Sequence, residues 1–133
     1  MNAQELKERT KQSALRIMRL VDALPRTPKG NALSSQLVRS GMSVAANYRA
    51  ACRGRSRAEF ISKIGVAEEE ADETALWLEL IVADKILRER EILPLSTEAN
   101  KLVAIMAASY ISAQKNRVRS PAQSAVRNQQ SEI

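Results

Sequence analysis

The sequence predicts an all-α fold, an antiparallel up-down-up-down four-helix bundle, and three observations lead there. Four segments carry apolar residues at the helical period of 3.6. The punctuating residues fall between those segments: Pro25, Pro28 and Gly30, then Gly54, Pro94 and Pro121. Aromatics are confined to Tyr48, Phe60, Trp77 and Tyr110, and with 4 Gly and 4 Pro the chain lacks the turns and β-formers of a sandwich or barrel. A length of 133 residues suits one domain with one core. Residues 1–117 are read as the bundle, and residues 118–133, polar and aperiodic, as a disordered basic tail.

The first helix is expected over residues 3–24, with Leu6, Thr10, Ile17, Leu20, Val21 and Leu24 on one stripe. The second is expected over residues 31–51, capped by Thr27 or Asn31, with the stripe Leu33, Leu37, Gly41, Val44 and Tyr48. Gly41 on that stripe costs about 1 kcal/mol of helix propensity, which close approach of a neighbouring helix would offset; a merely tolerated glycine is the alternative. The third helix is expected over residues 57–89. Ser56-Arg57-Ala58-Glu59 is a capping box, in which Ser56 accepts from the Glu59 amide and Glu59 reaches back. Its stripe runs from Phe60 through Ile64, Ala67, Ala71, Thr74, Leu78 and Ile81 to Val82. The fourth helix is expected over residues 97–116, capped by Ser96, with Leu102, Ile105, Met106, Ser109 and Ala113 inward.

Composition excludes several function classes. There is no histidine, so His-dependent triads and histidine metal sites are ruled out. A single cysteine, Cys52, excludes an intrachain disulfide and any multi-cysteine zinc site. The acidic run Glu68-Glu69-Glu70-Ala71-Asp72-Glu73 could suggest a metal bundle, but no Glu-x-x-His accompanies it, and ion pairs, for instance of Glu69 and Glu73 with Arg39, explain it better. Cys52 beside Arg49 and Arg53 lacks a base, and Arg53-Gly54-Arg55-Ser56 has too few glycines for a phosphate loop. No metal, cofactor or enzymatic activity is expected. The N-terminus has no apolar signal region and no stretch approaches a membrane span, so a cytoplasmic protein is expected.

Two features point to function. Lys and Arg total 21 against 15 Asp and Glu, a net of +6, and the surplus is uneven. Arg49, Arg53, Arg55, Arg57 and Lys63 lie within fifteen residues, opposed only by Glu59, around the turn between the second and third helices. Guanidinium forks beside a helix N-terminus suit phosphate, so these five residues are the candidate nucleic-acid site. The bland alternative is a solvated loop. Separately, Trp77 lies about 100° around its helix from Phe60, and Val66 and Leu80 share its side. A bundle helix needs one apolar face; Val66, Trp77 and Leu80 make a second, which is the candidate oligomer interface.

The segments Leu37-Val-Arg-Ser-Gly-Met-Ser-Val44, Ala46-Asn-Tyr-Arg-Ala-Ala-Cys-Arg53, Arg55-Ser-Arg-Ala-Glu-Phe-Ile61, Glu69-Glu-Ala-Asp-Glu-Thr74 and Trp77-Leu-Glu-Leu80 follow in order. Together they resemble the bacterial four-helix-bundle proteins of the 23S rRNA intervening-sequence protein family. The resemblance covers roughly residues 5–116 and implies a bundle assembling into a barrel-like homopentamer. It extends distantly to the accessory variability proteins of diversity-generating retroelements, which implies as partners RNA or DNA, and a reverse transcriptase or another protein. Two functions follow as expectations: a non-enzymatic oligomer that binds nucleic-acid backbone, or a protein–protein scaffold whose charge serves only assembly and solubility.

Overall fold

Three of the four helices start on a side-chain cap. In the computed structural model of the chain, which describes residues 1–117, Asn2 accepts from the Glu5 amide at the start of α1 (Ala3–Leu20), and Thr27 accepts from the Gly30 amide at the start of α2 (Pro28–Cys52). Ser56 does the same for Glu59 at the start of α3 (Arg57–Ala83), and α4 spans Glu89–Arg117. Such caps satisfy amides that a helix cannot bond internally. A short 3-10 turn, Val21–Ala23, ends the first element, so the helix expected to residue 24 stops earlier as an α-helix. No strand occurs among the described residues. The expectation for residues 118–133 lies outside them.

The helix breaks differ from the expectation at two places: Pro28 and Gly30, read as a break, lie in the first turn of α2, and the passage from α3 to α4 falls earlier, so that Ser96, the expected cap, lies inside α4. Helix α3 ends at Ala83 and not near residue 89. The Ile86 amide bonds back to the Ile81 carbonyl at 2.9 Å, the Lys85 amide bonds to the Val82 carbonyl at 3.0 Å, and Lys85 has a φ of 57°. This is a Schellman closure with lysine in the left-handed position that glycine usually fills. Pro94, read from sequence as a break, lies inside α4. It removes one amide near the helix start, and Arg90, whose carbonyl loses that partner, is exposed to water.

Helix α3 is the spine. It packs broadly on α2 and on α4, while α1 packs mainly on α2 and touches α4 narrowly. Two groups of buried side chains fill the space. One gathers Val44, Tyr48, Phe60, Ile64, Leu102 and Met106; the other gathers Ile17, Leu37, Leu78, Ile81 and Ile92. Gly41 lets α1 approach α2: a Cβ there would lie 3.1 Å from Ile17 Cγ2. Gly30 is more constrained still, since its Cβ would fall 1.9 Å from the Pro25 carbonyl oxygen.

Polar contacts pin the seams. Buried Ser40 Oγ lies 2.8 Å from Thr74 Oγ1, and Thr74 donates to the Glu70 carbonyl at 2.8 Å. With the Thr74 proton so placed, Ser40 is the donor between the two hydroxyls. Arg39 pairs with Glu70 at 2.9 Å and Glu73 at 2.6 Å; sequence had suggested Glu69 and Glu73. The hydrogen bond to Glu70, with the nearby charges, raises the Arg39 pKa further above its ordinary value. Arg9 clamps Glu98 across α1 and α4 through two hydrogen bonds of 2.6 and 2.8 Å.

Candidate functional site

The turn between α2 and α3 is built by short-range bonds. The Arg53 amide donates to the Ala50 carbonyl and the Gly54 amide to the Ala51 carbonyl, which ends α2. The Glu59 amide donates to Ser56 Oγ at 3.1 Å, which starts α3. The Glu59 carboxylate does reach back, but to the Arg55 amide at 3.4 Å. The turn therefore closes within a few residues and holds the arginines on either side of it close together.

Arg49, Arg53 and Arg55 are exposed and line one open groove of about 480 Å³ with Ala46, Ala50 and Glu59. None of the three makes an ion pair among the described residues. Their charge is thus available to an anion. Arg57 is not part of this row: it is only 6% exposed. The reason is helical phase, since residues 57, 60, 61 and 64 fall on the inward stripe of α3 once Ser56 takes the cap. Lys63 stands further along α3, half-buried, and does not line the groove.

A second open groove, of about 380 Å³, lies between α1 and α2. It is lined by Gln4, Lys7, Glu8 and Lys11 of α1 and by Ala45, Ala46 and Arg49 of α2. The two lysines sit some forty residues from the arginines in sequence. The signal available was the four-residue step between Lys7 and Lys11 in a helix already identified, but nothing local placed that face beside Arg49.

Two acids of α3 and the acid that caps its end are held in ion pairs away from the groove. Glu70 and Glu73 hold Arg39, and Asp84 holds Lys29 at the other end of the α2–α3 seam. Cys52 is half-buried against the core. Burial raises the Tyr48 hydroxyl well above its ordinary pKa, and the neighbouring Cys52 thiol adds to that.

The second apolar face divides. Trp77 and Leu80 line an open, largely apolar groove of about 490 Å³ with Ala32, Leu33, Ile86 and the Lys29–Asp84 pair. Leu80 is 43% exposed and neighbouring Leu76 45%. The Trp77 Nε1 is buried with no hydrogen-bond partner among the described residues. Val66 is half-buried and does not reach this groove, because it lies three turns away along α3. Among the described residues no helix is long and apolar enough to cross a membrane.

Comparison with known proteins completes the picture. Residues 3–108 match the family described as 23S rRNA-intervening sequence protein. The chain is also similar to a solved structure from Bacteroides thetaiotaomicron, a protein of unknown function from the S23 ribosomal protein family. The two are 31% identical over 78% of this chain and 96% of that one, with a TM-score of 0.73. No curated protein matches the chain.

Proposed function

The chain belongs to the 23S rRNA-intervening sequence protein family, and from that premise we propose that it is a non-enzymatic homo-oligomer that binds the backbone of RNA or DNA. The observation that carries this reading is the row of exposed arginines, Arg49, Arg53 and Arg55, on one groove beside the N-terminus of α3. Each offers a planar fork to phosphate, and the helix terminus adds partial positive charge. Lys63 flanks the row. No aromatic side chain lines the groove, so bases have nothing to stack on and contacts go to phosphates with little sequence preference.

Assembly supports the same reading. The helices are proposed to run antiparallel, up-down-up-down: Lys29 meets Asp84 while Arg39 meets Glu70, so position rises along α2 as it falls along α3. The Trp77–Leu80 groove is the proposed contact between copies, and the family resemblance makes a barrel-like pentamer the expected form. A ring repeats the basic row, and one strand spanning several copies gains avidity from it. A second reading, an oligomeric protein-interaction scaffold without nucleic-acid binding, is favoured by that same apolar groove.

The discriminating experiment is a binding titration with single-stranded and duplex RNA and DNA, using wild type and a triple variant with Arg49, Arg53 and Arg55 changed to Ala. Binding by the wild type at low salt and its loss in the variant support the proposal. Equal binding by both proteins removes the arginine row as the site, and no binding by either leaves the scaffold.

A further inference from the structure

The two basic grooves are not separate: Ala46 and Arg49 line both. We infer that they form one continuous phosphodiester track, on which Lys7 and Lys11 of α1 hold the same nucleic-acid strand as Arg49, Arg53 and Arg55. This rests on the nucleic-acid reading above and extends its footprint from a turn to a path crossing the α1–α2 groove.

Spacing supports the track. Lys7 to Lys11 is a four-residue step on one face of α1, and Arg49 to Arg53 is a like step from the last turn of α2 to its C-cap, each about 6 Å. That step is of the same order as the distance between successive phosphates of an extended strand. The α1 lysines and the α2 arginine thus line opposite walls of one groove.

The floor fits a backbone better than a peptide. Ala45, Ala46 and Ala50 present only methyl groups, which allow close approach and offer no pocket to hold a peptide side chain. Neither groove contains an aromatic. The two acids present are weak competitors. Glu8 meets Lys11 at 3.9 Å in an exposed pair, which is worth little, and Glu59 already accepts from the Arg55 amide.

The test measures the affinity of full-length protein for a labelled RNA oligonucleotide and a labelled DNA duplex at several salt concentrations. The variants are Lys7→Gln/Lys11→Gln, the charge-preserving Lys7→Arg/Lys11→Arg, and Arg88→Gln/Arg90→Gln, which removes equal charge from the exposed start of α4. The expected result is a salt slope shallower by about 1.8 on duplex DNA for the glutamine pair at Lys7 and Lys11, at roughly 0.9 per phosphate contact. The arginine pair keeps the wild-type slope, and so does the Arg88/Arg90 control. A wild-type slope in the Lys7/Lys11 glutamine variant, with binding still lost in the Arg49/Arg53/Arg55 variant, overturns the track while the turn site stands. Displacement of the RNA by polyglutamate at equal charge also overturns it, in favour of an acidic peptide. No binding by wild type at low salt removes both.

Discussion

Replacing Thr74 by Val removes one hydroxyl at nearly constant volume from the buried seam between α2 and α3. Thr74 is 4% exposed and Ser40 0%. The Ser40 hydroxyl donates to Thr74 Oγ1, which itself donates to the Glu70 carbonyl. With valine at position 74 the Ser40 hydroxyl keeps only the weaker option of its own preceding helical turn. Thr and Val have similar helix propensities, so the lost hydroxyl dominates. The cost should be about 1–2 kcal/mol, the lower part of the range for a buried donor left without its acceptor, because that weaker option remains. Ser40→Ala should cost less, about 0.5–1 kcal/mol, because Thr74 keeps its bond to Glu70. The double variant should lose less than the two single losses together, by about 0.5–1.5 kcal/mol of coupling. Urea unfolding followed by circular dichroism measures this, at fixed subunit concentration because association adds to apparent stability. A neutral Thr74→Val, or single losses that simply add in the double variant, would refute the hydrogen-bond chain.

Three further outcomes are expected. Trp77→Asp should shift the mass seen by light scattering from oligomer to monomer, since a charge buried at a subunit contact costs several kcal/mol unless paired; an unchanged mass would make Trp77 an edge residue of the monomer. Lys85→Gly should stabilise the fold by about 0.5–1 kcal/mol, because glycine adopts the left-handed φ of 57° without the strain lysine bears, and a lower urea midpoint would contradict the Schellman closure. Hydrogen bonds from Arg9 lower the Glu98 pKa below the ordinary carboxylate value of 4.5, so the pair contributes fully above that value and its contribution is lost as pH falls through the lower folded one. Arg9→Gln should therefore be clearly less stable than wild type near neutrality, and the gap should narrow in acid; a gap independent of pH would sink that assignment.

Much of this was legible in the chain because its signals are local. Thr27 and Ser56 cap helices from within three residues, whereas Gly41 fits a close helix approach and a tolerated glycine equally well until Ile17 is seen against it. The end of α3 was not legible: a Schellman closure normally shows a glycine, and here lysine takes the left-handed position. Pro94 misled in the opposite sense, because a proline near an exposed helix start forfeits little. Of the candidate site, the exposed Arg49, Arg53 and Arg55 were legible from composition. The burial of Arg57 followed from one residue of helical phase, counted from the Ser56 cap. Lys7 and Lys11 required tertiary knowledge, since only the packing of α1 on α2 brings them to Arg49. For the same reason the groove under Trp77 includes Leu33, which no sequence pattern links to α3.

Whether the basic row meets phosphate is read from the salt dependence of duplex DNA binding by the wild-type protein. Binding is expected at about 50 mM salt, with a slope of log K against log salt between about −2.7, for the three turn arginines, and about −4.5, with Lys7 and Lys11 engaged. No binding at that salt concentration, or a slope near zero, would contradict that expectation.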